Sequence, residues 1–319
     1  MTDRYCRTIN YMRISVTDLC NMRCQYCMPE SGVSKRNHCD LLTYEEITKI
    51  VRSSVPLGIQ KLRITGGEPL VRNGIVSFTD MLSKIPGINE ITMTTNGSRL
   101  VELAKPLQEA GLKRFNVSID SLNPQRYREI TRGGNLSDVL AGIDKILSLG
   151  MTPLRLNTVL IGGINDHEVA DFAALTMKDP IDVRFIELMP VGEASHWAKS
   201  RFISNDTLQR RLGPLLPEAT DKGSPANYYK LPGAKGRIGF INPISHHFCH
   251  ECNRIRLTCD GKLKPCLHSN EEIDLRDALQ HSDEMVTRIV QQAIQLKPER
   301  HRLEEEQMCT TRNMSQIGG

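Results

Sequence analysis

From Arg13 to about Met189, short runs of apolar and β-branched residues alternate with longer segments in which apolar residues recur with helical spacing. The strand-like runs are Arg13–Val16, Lys61–Thr65, Glu90–Thr95, Arg114–Ile119, Leu154–Leu160 and Asp182–Leu188. Strands that alternate with helices pair in parallel through right-handed crossovers. The pattern predicts an α/β fold, either a (β/α) barrel or a doubly wound sheet, with ligands at the carboxyl ends of the strands.

Local signals mark the ends of the predicted helices. Thr43 followed by Glu46 is a capping-box pattern, and Asn135 is placed to begin a second helix. Glycines stand where three helices should end, at Gly58, Gly111 and Gly150. The sequence contains neither the glycine-rich dinucleotide-binding fingerprint nor the P-loop motif, so the Rossmann and P-loop interpretations lack their phosphate-binding element.

The pattern changes after residue 191, and we divide the chain into two regions, residues 1–191 and 192–319. Prolines between residues 192 and 243 predict irregular structure there; they are Pro214, Pro217, Pro225 and Pro232. Residues 249–268 predict a cysteine-bearing hairpin that turns at Asp260 and Gly261, and helical residues follow to about Leu296. The polar last segment, roughly twenty residues, has the composition of a disordered tail.

The composition is that of a globular protein: 319 residues, of which 39% are hydrophobic and 24% charged. No segment approaches the ~18 uncharged apolar residues that span a bilayer, and the polar segment Met1–Arg7 does not resemble a signal peptide. We therefore expect a cytoplasmic protein without membrane contact. The net charge of +4 is too small to predict a nucleic-acid partner.

Six of the ten cysteines fall into two tight groups. The first trio is Cys20, Cys24 and Cys27, and the second trio is Cys249, Cys252 and Cys266. In a reducing compartment, clustered thiols are typical of metal ligands. Three thiolates can hold three irons of a [4Fe–4S] cluster and leave the fourth iron open, whereas a structural zinc site normally needs a fourth cysteine or histidine.

The two trios differ in how firmly zinc is disfavoured. Near the first trio, Cys39 and His38 are poorly spaced as fourth ligands, which favours a cluster. Near the second trio, zinc remains an alternative because several histidines lie close by: His246, His247, His250 and His268. Arg254 and Arg256 follow Cys252 on one face of an extended segment, where they form a planar, permanently charged clamp for a polyphosphate or carboxylate.

The first trio, with Tyr26 inside it, resembles the signature of the radical S-adenosylmethionine (SAM) superfamily, and Gly66-Gly67-Glu68-Pro69 resembles the second motif of that superfamily. The resemblance implies that the open iron binds SAM and that one electron from the cluster cleaves SAM to a 5′-deoxyadenosyl radical. The SAM contacts that it implies are Tyr26, Gly67, Glu68, Ser118 and Met189.

Within this superfamily, the chain from Arg13 to Gly319 resembles the GTP 3′,8-cyclases of molybdenum cofactor biosynthesis. The matching motifs are Arg13–Asp18, Arg63–Pro69, Thr94–Gly97, Ser118–Ser121, Arg184–Glu187, the second trio with Arg254 and Arg256, and Gly318-Gly319. The resemblance implies an incomplete (β/α)6 TIM-type barrel whose mouth is closed by a smaller carboxy-terminal, cysteine-bearing region. It also implies SAM and two [4Fe–4S] clusters as cofactors, with the guanine of GTP bound at the second cluster, and conversion of GTP to 3′,8-cyclo-7,8-dihydroguanosine triphosphate.

The same resemblance implies the substrate contacts. GTP would be bound by Arg13, Arg63, Thr94, Arg155, Arg184, Arg254, Ile255 and Arg256, with Lys61 lining the same mouth. Arg155 stands where the family usually has a lysine, so the charge is kept while a planar fork replaces a compact ammonium. Gly318 and Gly319 would enter the active site and take part in catalysis together with the first trio, Arg254 and Arg256.

Partners also follow from the resemblance: an electron donor of the flavodoxin or ferredoxin type, and a product-accepting cyclic pyranopterin monophosphate synthase. The chain would act as a monomer or homodimer. Two alternatives stay open at this point. One is another two-cluster radical SAM enzyme, such as a peptide-modifying maturase, and the other is a non-catalytic zinc- or cluster-binding module that recognises nucleic acid.

Overall fold

The computed structural model describes residues 1–34, 36–220, 223–301, 303, 310 and 312–318. The strands are β1 (Tyr11–Ser15), β2 (Lys61–Thr65), β3 (Glu90–Thr95), β4 (Arg114–Ser118), β5 (Leu154–Leu160), β6 (Ile181–Glu187), β7 (Leu216–Pro217), β8 (Ala226–Lys230), β9 (Ile238–Ile241), β10 (Arg254–Leu257), β11 (Lys262–Lys264) and β12 (Ile273–Asp274). The α-helices are α1 (Tyr44–Ser54), α2 (Ile75–Ser83), α3 (Leu100–Glu109), α4 (Pro124–Thr131), α5 (Leu136–Ser148), α6 (Val169–Lys178), α7 (Ala198–Arg201), α8 (Asn205–Arg211), α9 (Arg276–Leu279) and α10 (Asp283–Gln295).

One mixed sheet organises the described residues, in the order β12-β11-β10-β1-β2-β3-β4-β5-β6-β9-β8-β7. Strands β1 to β6 are consecutive and parallel, and helices of the same segment connect them. This confirms the prediction of an α/β fold with an incomplete six-stranded barrel. The open order also removes the alternative of a doubly wound sheet, in which the strand order reverses at a switch point.

Residues beyond 191 extend this sheet at both edges. Strand β9 pairs in parallel with β6, and β10 pairs in parallel with β1, so the two ends of the region add strands to opposite edges of the barrel. The hairpin at Asp260 and Gly261 is confirmed, because β10 and β11 are antiparallel and Gly261 has a φ of 83°. The prediction of irregular structure between residues 192 and 243 was wrong: α7, α8, β8 and β9 form there, with the prolines at or outside their ends.

The helix-end signals hold. Thr43 and Glu46 form the capping box at the start of α1, and Asn135 accepts a hydrogen bond from the amide of Ser137 at the start of α5. Gly58, Gly111 and Gly150 all have positive φ where helices or turns end. The helical periodicity places apolar faces against the sheet, where the strands contribute fully buried side chains such as Ile14, Ile64, Met93 and Val117.

The end of the chain is ordered in its described part, which corrects the prediction from composition. Asn313 and Gln316 form a capping box around a short 3-10 turn, and Ser315 and Ile317 are buried. Composition did not reveal this order because the segment is held by long-range contacts rather than by its own apolar residues. Residues 304–309 and Gly319 lie outside the described residues.

Candidate active site

A cavity of about 300 Å³ opens at the carboxyl ends of the barrel strands. Its lining includes Thr65, Thr95, Ser118 and Glu187, which stand at the ends of β2, β3, β4 and β6. The cavity also reaches all six cysteines of the two trios. Parallel strands present their carboxyl ends at one rim, so residues far apart in sequence meet there.

The first trio occupies the segment that follows β1. Burial raises the pKa of Cys20 to about 11 and that of Cys27 to about 12, and neighbouring negative groups add to the shift. The pKa of Cys24 is also raised well above its ordinary value by burial, by Asp120 and by the other two thiols. All three cysteines line the cavity, in surroundings that strongly disfavour an uncompensated thiolate.

Gly67 brings the backbone of the second motif against this segment. Its amide donates to the Thr17 carbonyl at 2.6 Å, and a side-chain Cβ at this position would lie 2.3 Å from the Leu19 oxygen, so only glycine fits. The carboxylate of Glu68 accepts hydrogen bonds from the Asn96 and Leu70 amides and from the Thr95 hydroxyl. Glu68 thus holds the β2 and β3 ends together while facing the cavity.

Burial raises the pKa of Glu68 to about 7, although those three hydrogen bonds favour its charged form. The remaining lone pairs of its carboxylate can accept a ligand ammonium. Tyr26 donates to Asp120 Oδ2 at 2.7 Å, and Asp120 also accepts from the Val159 amide at 2.9 Å. Asp120 therefore fixes Tyr26 against the end of β5.

Basic residues meet where β10, β1 and β2 run side by side. The strand register sets Arg13 directly opposite Arg256 on one side and Arg63 on the other. Burial and repulsion by neighbouring guanidinium groups lower the pKa of Arg13 and Arg63, and they lower that of Arg256 to about 10. Guanidinium groups set side by side on the cavity lining repel one another unless an anion joins them, so this row indicates a polyanion site.

Buried polar atoms in the cavity lining have no hydrogen-bond partner among the described residues. They include Thr94 Oγ1, Arg184 Nε and Arg254 Nε. Arg184 also donates to Asn116 Oδ1 at 2.7 Å, which orients it, and burial lowers its pKa to about 9. Buried groups left unsatisfied in this way are costly, and a polar ligand would satisfy them.

The second trio lies on the far side of the same cavity. Burial alone would raise the pKa of Cys252, but the positive charges of Lys297 and Arg254 lower it to about 6. The pKa of Cys249 is raised by burial and by the thiols of Cys266 and Cys252. This trio is therefore surrounded by cations, unlike the first.

The end of the chain enters the site. Arg256 donates to the Gly318 carbonyl at 2.6 Å, and a Cβ on Gly318 would lie 2.4 Å from Thr65 Oγ1. Ser315 lines the same cavity as Cys27. Gly318 thus lies against the ends of β1 and β2 beside the arginine row, whereas Gly319 falls outside the described residues.

Most of the predicted residues line the cavity, and a few do not. It is lined by Arg13, Arg63, Thr94, Arg184, Arg254 and Arg256 from the predicted substrate set, and by Tyr26, Gly67, Glu68, Ser118 and Met189 from the predicted SAM set. The side chain of Ile255 faces away from the cavity: it is fully buried in the hydrophobic core, because alternate residues of β10 face opposite sides of the sheet. Arg155 and Lys61 also lie outside the lining, and Arg155 Nε is 3.8 Å from Asp182 Oδ2.

Sequence reasoning missed other residues of the lining. Asp120, Asn96 and Lys297 all face the cavity. Asp120 and Asn96 stand within motifs that were noticed, directly after a strand, so their positions were available signals. Lys297 follows the last long helix and had no local signal.

Both trios fit iron–sulfur clusters by the chemistry of their donors. Each supplies three soft sulfur ligands that couple electrostatically and face one cavity, and a cluster accepts one thiolate at each of three irons. In the part of the chain that the structure describes, no three His, Cys, Asp or Glu side chains converge closely enough to hold a single metal ion. None of the helices described there combines the length and apolar character needed to cross a bilayer.

Comparisons with known proteins agree with this site. Residues 14–176 match the family model of the radical SAM superfamily, and residues 181–303 match that named Molybdenum Cofactor Synthesis C. The GTP 3′,8-cyclase of Alkaliphilus oremlandii is 61% identical over the full length of both chains. The chain belongs to the GTP 3′,8-cyclase family. The cyclase of Peptoclostridium acidaminophilum is 53% identical over 100% of this chain and 98% of its own length.

Membership of the cyclase family fixes the cofactors as SAM and two [4Fe–4S] clusters. It also decides against the maturase, zinc-module and nucleic-acid alternatives that the residues alone left open. Among solved structures, SuiB of Streptococcus suis bound to S-adenosylmethionine is similar with a TM-score of 0.64 over 86% of this chain. This chain spans 64% of the SuiB chain at 14% identity, so the likeness concerns the fold.

Proposed function

We propose that this GTP 3′,8-cyclase converts GTP to (8S)-3′,8-cyclo-7,8-dihydroguanosine 5′-triphosphate, the first step of molybdenum cofactor biosynthesis, in the cavity between the two trios. The observation that carries the assignment of the site is that a single cavity is lined by six cysteines, the GGEP turn and a row of buried arginines. SAM would be held on the side of the first trio, and GTP on the side of the second.

The chain's own residues would bind and orient GTP and SAM. Arg13, Arg63 and Arg256 would receive the triphosphate, since guanidinium groups set side by side on the cavity lining favour a polyanion. Arg254 and Arg184 would add donors through their unsatisfied Nε atoms. Gly67 lets the backbone approach the SAM ammonium, and the Glu68 carboxylate accepts from it.

Cys20, Cys24 and Cys27 would hold the first cluster, which together with SAM would supply the radical chemistry at the 3′ carbon of GTP. The protein's contribution is to hold the 3′ carbon of the ribose near carbon 8 of the guanine and to exclude water. The end of the chain assists in this, because Gly318 fills the gap between Ser15 and Thr65 without a side chain.

The wider setting is proposed on chemical grounds. Each of the nine described cysteines is a free thiol, which suits a reducing cytoplasm. The reaction needs an electron donor, for which a flavodoxin or ferredoxin is suited, and its product would pass to a cyclic pyranopterin monophosphate synthase. The active unit would be a monomer or homodimer.

An anaerobic turnover assay tests the function. Reconstituted protein with GTP, SAM and dithionite should form 5′-deoxyadenosine and consume GTP together. Arg254→Ala or Arg256→Ala should weaken GTP binding at least about tenfold, the loss expected for a hydrogen bond to a charged group, while basal SAM cleavage persists. Arg128→Ala, an exposed arginine of α4, is the matched control. SAM cleavage without GTP consumption in the unmodified protein would contradict the proposed conversion of GTP.

A further inference from the structure

A buried lysine stands beside the second trio and has no role in the reaction as described so far. Lys297 is 3% exposed and lines the cavity. Its ammonium donates to the Arg254 carbonyl and to the Pro265 carbonyl, both at 2.9 Å. These carbonyls belong to the residues that lie two positions after Cys252 and directly before Cys266.

The positive charge of the ammonium also acts on the second trio. Lys297 lines the same cavity as Cys252 and lowers the pKa of that thiol. Among the residues that the structure describes, no carboxylate lies within ion-pair distance of Lys297. A buried ammonium without a counter-charge is costly, so its natural counter-ion is the sulfur group next to it.

Neighbouring contacts hold Lys297 in this position. Arg7 is buried and donates to the carbonyls of Pro298 and Cys249, at 2.7 Å and 2.8 Å. The segment that carries Lys297 is therefore tied to the first cysteine of the trio, while Lys297 itself is tied to the segments of the other two.

We propose that Lys297 is the resident counter-cation of the second trio: it orients the segments of Cys252 and Cys266, and its positive charge makes the cluster bound there easier to reduce. Hydrogen bonds to cluster sulfurs and nearby positive charge both raise the reduction potential. The inference rests on the proposed cluster at the second trio, and it makes Lys297 a positioning residue.

The test is a redox titration of the anaerobically reconstituted, two-cluster protein, followed by electron paramagnetic resonance. Lys297→Met keeps the length of the side chain and removes the charge. We expect the reduced-to-oxidised ratio of the second cluster at a fixed potential to fall about tenfold, which is about 59 mV for one electron. The potential of the first cluster should stay unchanged and serves as the internal reference.

Lys264→Met is the matched control. Lys264 is equally buried and lies two residues before Cys266, but its ammonium is neutralised by Glu272 at 2.9 Å and it does not line the cavity. An unshifted second cluster in Lys297→Met with full iron would overturn the proposal, as would an equal shift in both clusters or in Lys264→Met.

Loss of the second cluster in Lys297→Met is also informative. Lys297→Arg keeps the charge, so recovery of iron in that variant supports the counter-cation role, and loss in both variants contradicts it. The measurement needs no GTP. If the unmodified protein shows no second cluster, the proposed function fails before any variant is compared.

Discussion

The two trios have the same number of thiols and opposite electrostatic surroundings. The first lies among acids: Asp120 and Glu68 add to the effect of burial and keep its thiol pKa values high. The second lies among cations, and Lys297 with Arg254 brings the pKa of Cys252 down to about 6 despite burial. The difference follows from the strands that border each trio, since β10 carries the arginine pair and the ends of β2 and β4 carry the acids.

This contrast matches the charges of the two small molecules. SAM presents a sulfonium and an ammonium, which carboxylates favour, whereas GTP presents a triphosphate, which guanidinium groups favour. The cavity is thus polarised from one trio to the other. Two clusters of the same type can then serve different ligands because the protein, rather than the cluster, sets the local charge.

The largest effect is expected from removing one thiol of each trio separately. Cys24→Ala should abolish SAM cleavage, because that chemistry depends on the first cluster alone. Cys266→Ala should abolish GTP turnover and leave measurable SAM cleavage. Each variant should lose about half of the iron, one cluster of two. Iron analysis, 5′-deoxyadenosine and residual GTP are measured on the same anaerobic samples.

The proposed difference in role between the two trios would be contradicted if the two variants behaved alike. Loss of all iron in either variant would show that the clusters assemble as one unit. If Cys266→Ala abolished SAM cleavage as completely as Cys24→Ala does, the second trio would serve SAM as well.

A smaller effect is expected at the contacts that anchor the end of the chain. Arg312 donates to both oxygens of Asp260 and both of Glu272, at 2.6 to 3.0 Å, and so anchors the chain end that carries Gly318. Arg312→Ala should free that end and reduce cyclised product at least about tenfold, the effect of losing hydrogen bonds between charged groups. Iron content and basal SAM cleavage should persist. Hydrogen exchange of residues 313–318 gives a readout independent of turnover.

Arg312→Lys is the control for charge, since a lysine cannot reproduce the forked contact with two carboxylates. The yield of cyclised product from Arg312→Lys should lie between that of the wild-type protein and that of Arg312→Ala. A second check is additivity with Gly318→Ala: if Arg312 acts through placement of the tail, the double variant should lose no more activity than Gly318→Ala alone. Unchanged hydrogen exchange of residues 313–318 in Arg312→Ala would contradict the anchoring role of Arg312.

Much of this organisation could be predicted from the sequence. The alternation of strands and helices predicted an α/β fold, and the family resemblance selected the incomplete barrel. The spacing within each trio, with the turn after β2, pointed to the chemistry. The register that sets Arg13 between Arg63 and Arg256 could be anticipated only in part, because each arginine stands on a strand but the partner strand was unknown.

Other features depended on contacts between distant segments. Strands β8 and β9 were missed because glycines and prolines interrupt the local pattern, and pairing of β9 with β6 stabilises them. The ordered chain end depends on Arg312 reaching Asp260 across 52 residues, which no local pattern reports. The contacts of Lys297 likewise could not be predicted from the sequence, since its partners are backbone carbonyls whose positions only the fold defines.

The smallest effect is expected at the remaining buried cysteine, which tests whether three thiols per trio suffice. Cys259 lies on the segment after β10, seven residues before Cys266, but outside the cavity lining, and burial with nearby Asp18 and Asp260 raises its pKa to about 12. It should stay a protonated thiol packed in the core. Cys259→Ala should therefore leave iron content and GTP turnover unchanged and lower the free energy of unfolding by about 1 kcal/mol. Loss of one cluster's iron, as in Cys266→Ala, would show that the second site recruits a fourth thiol and is closed to substrate.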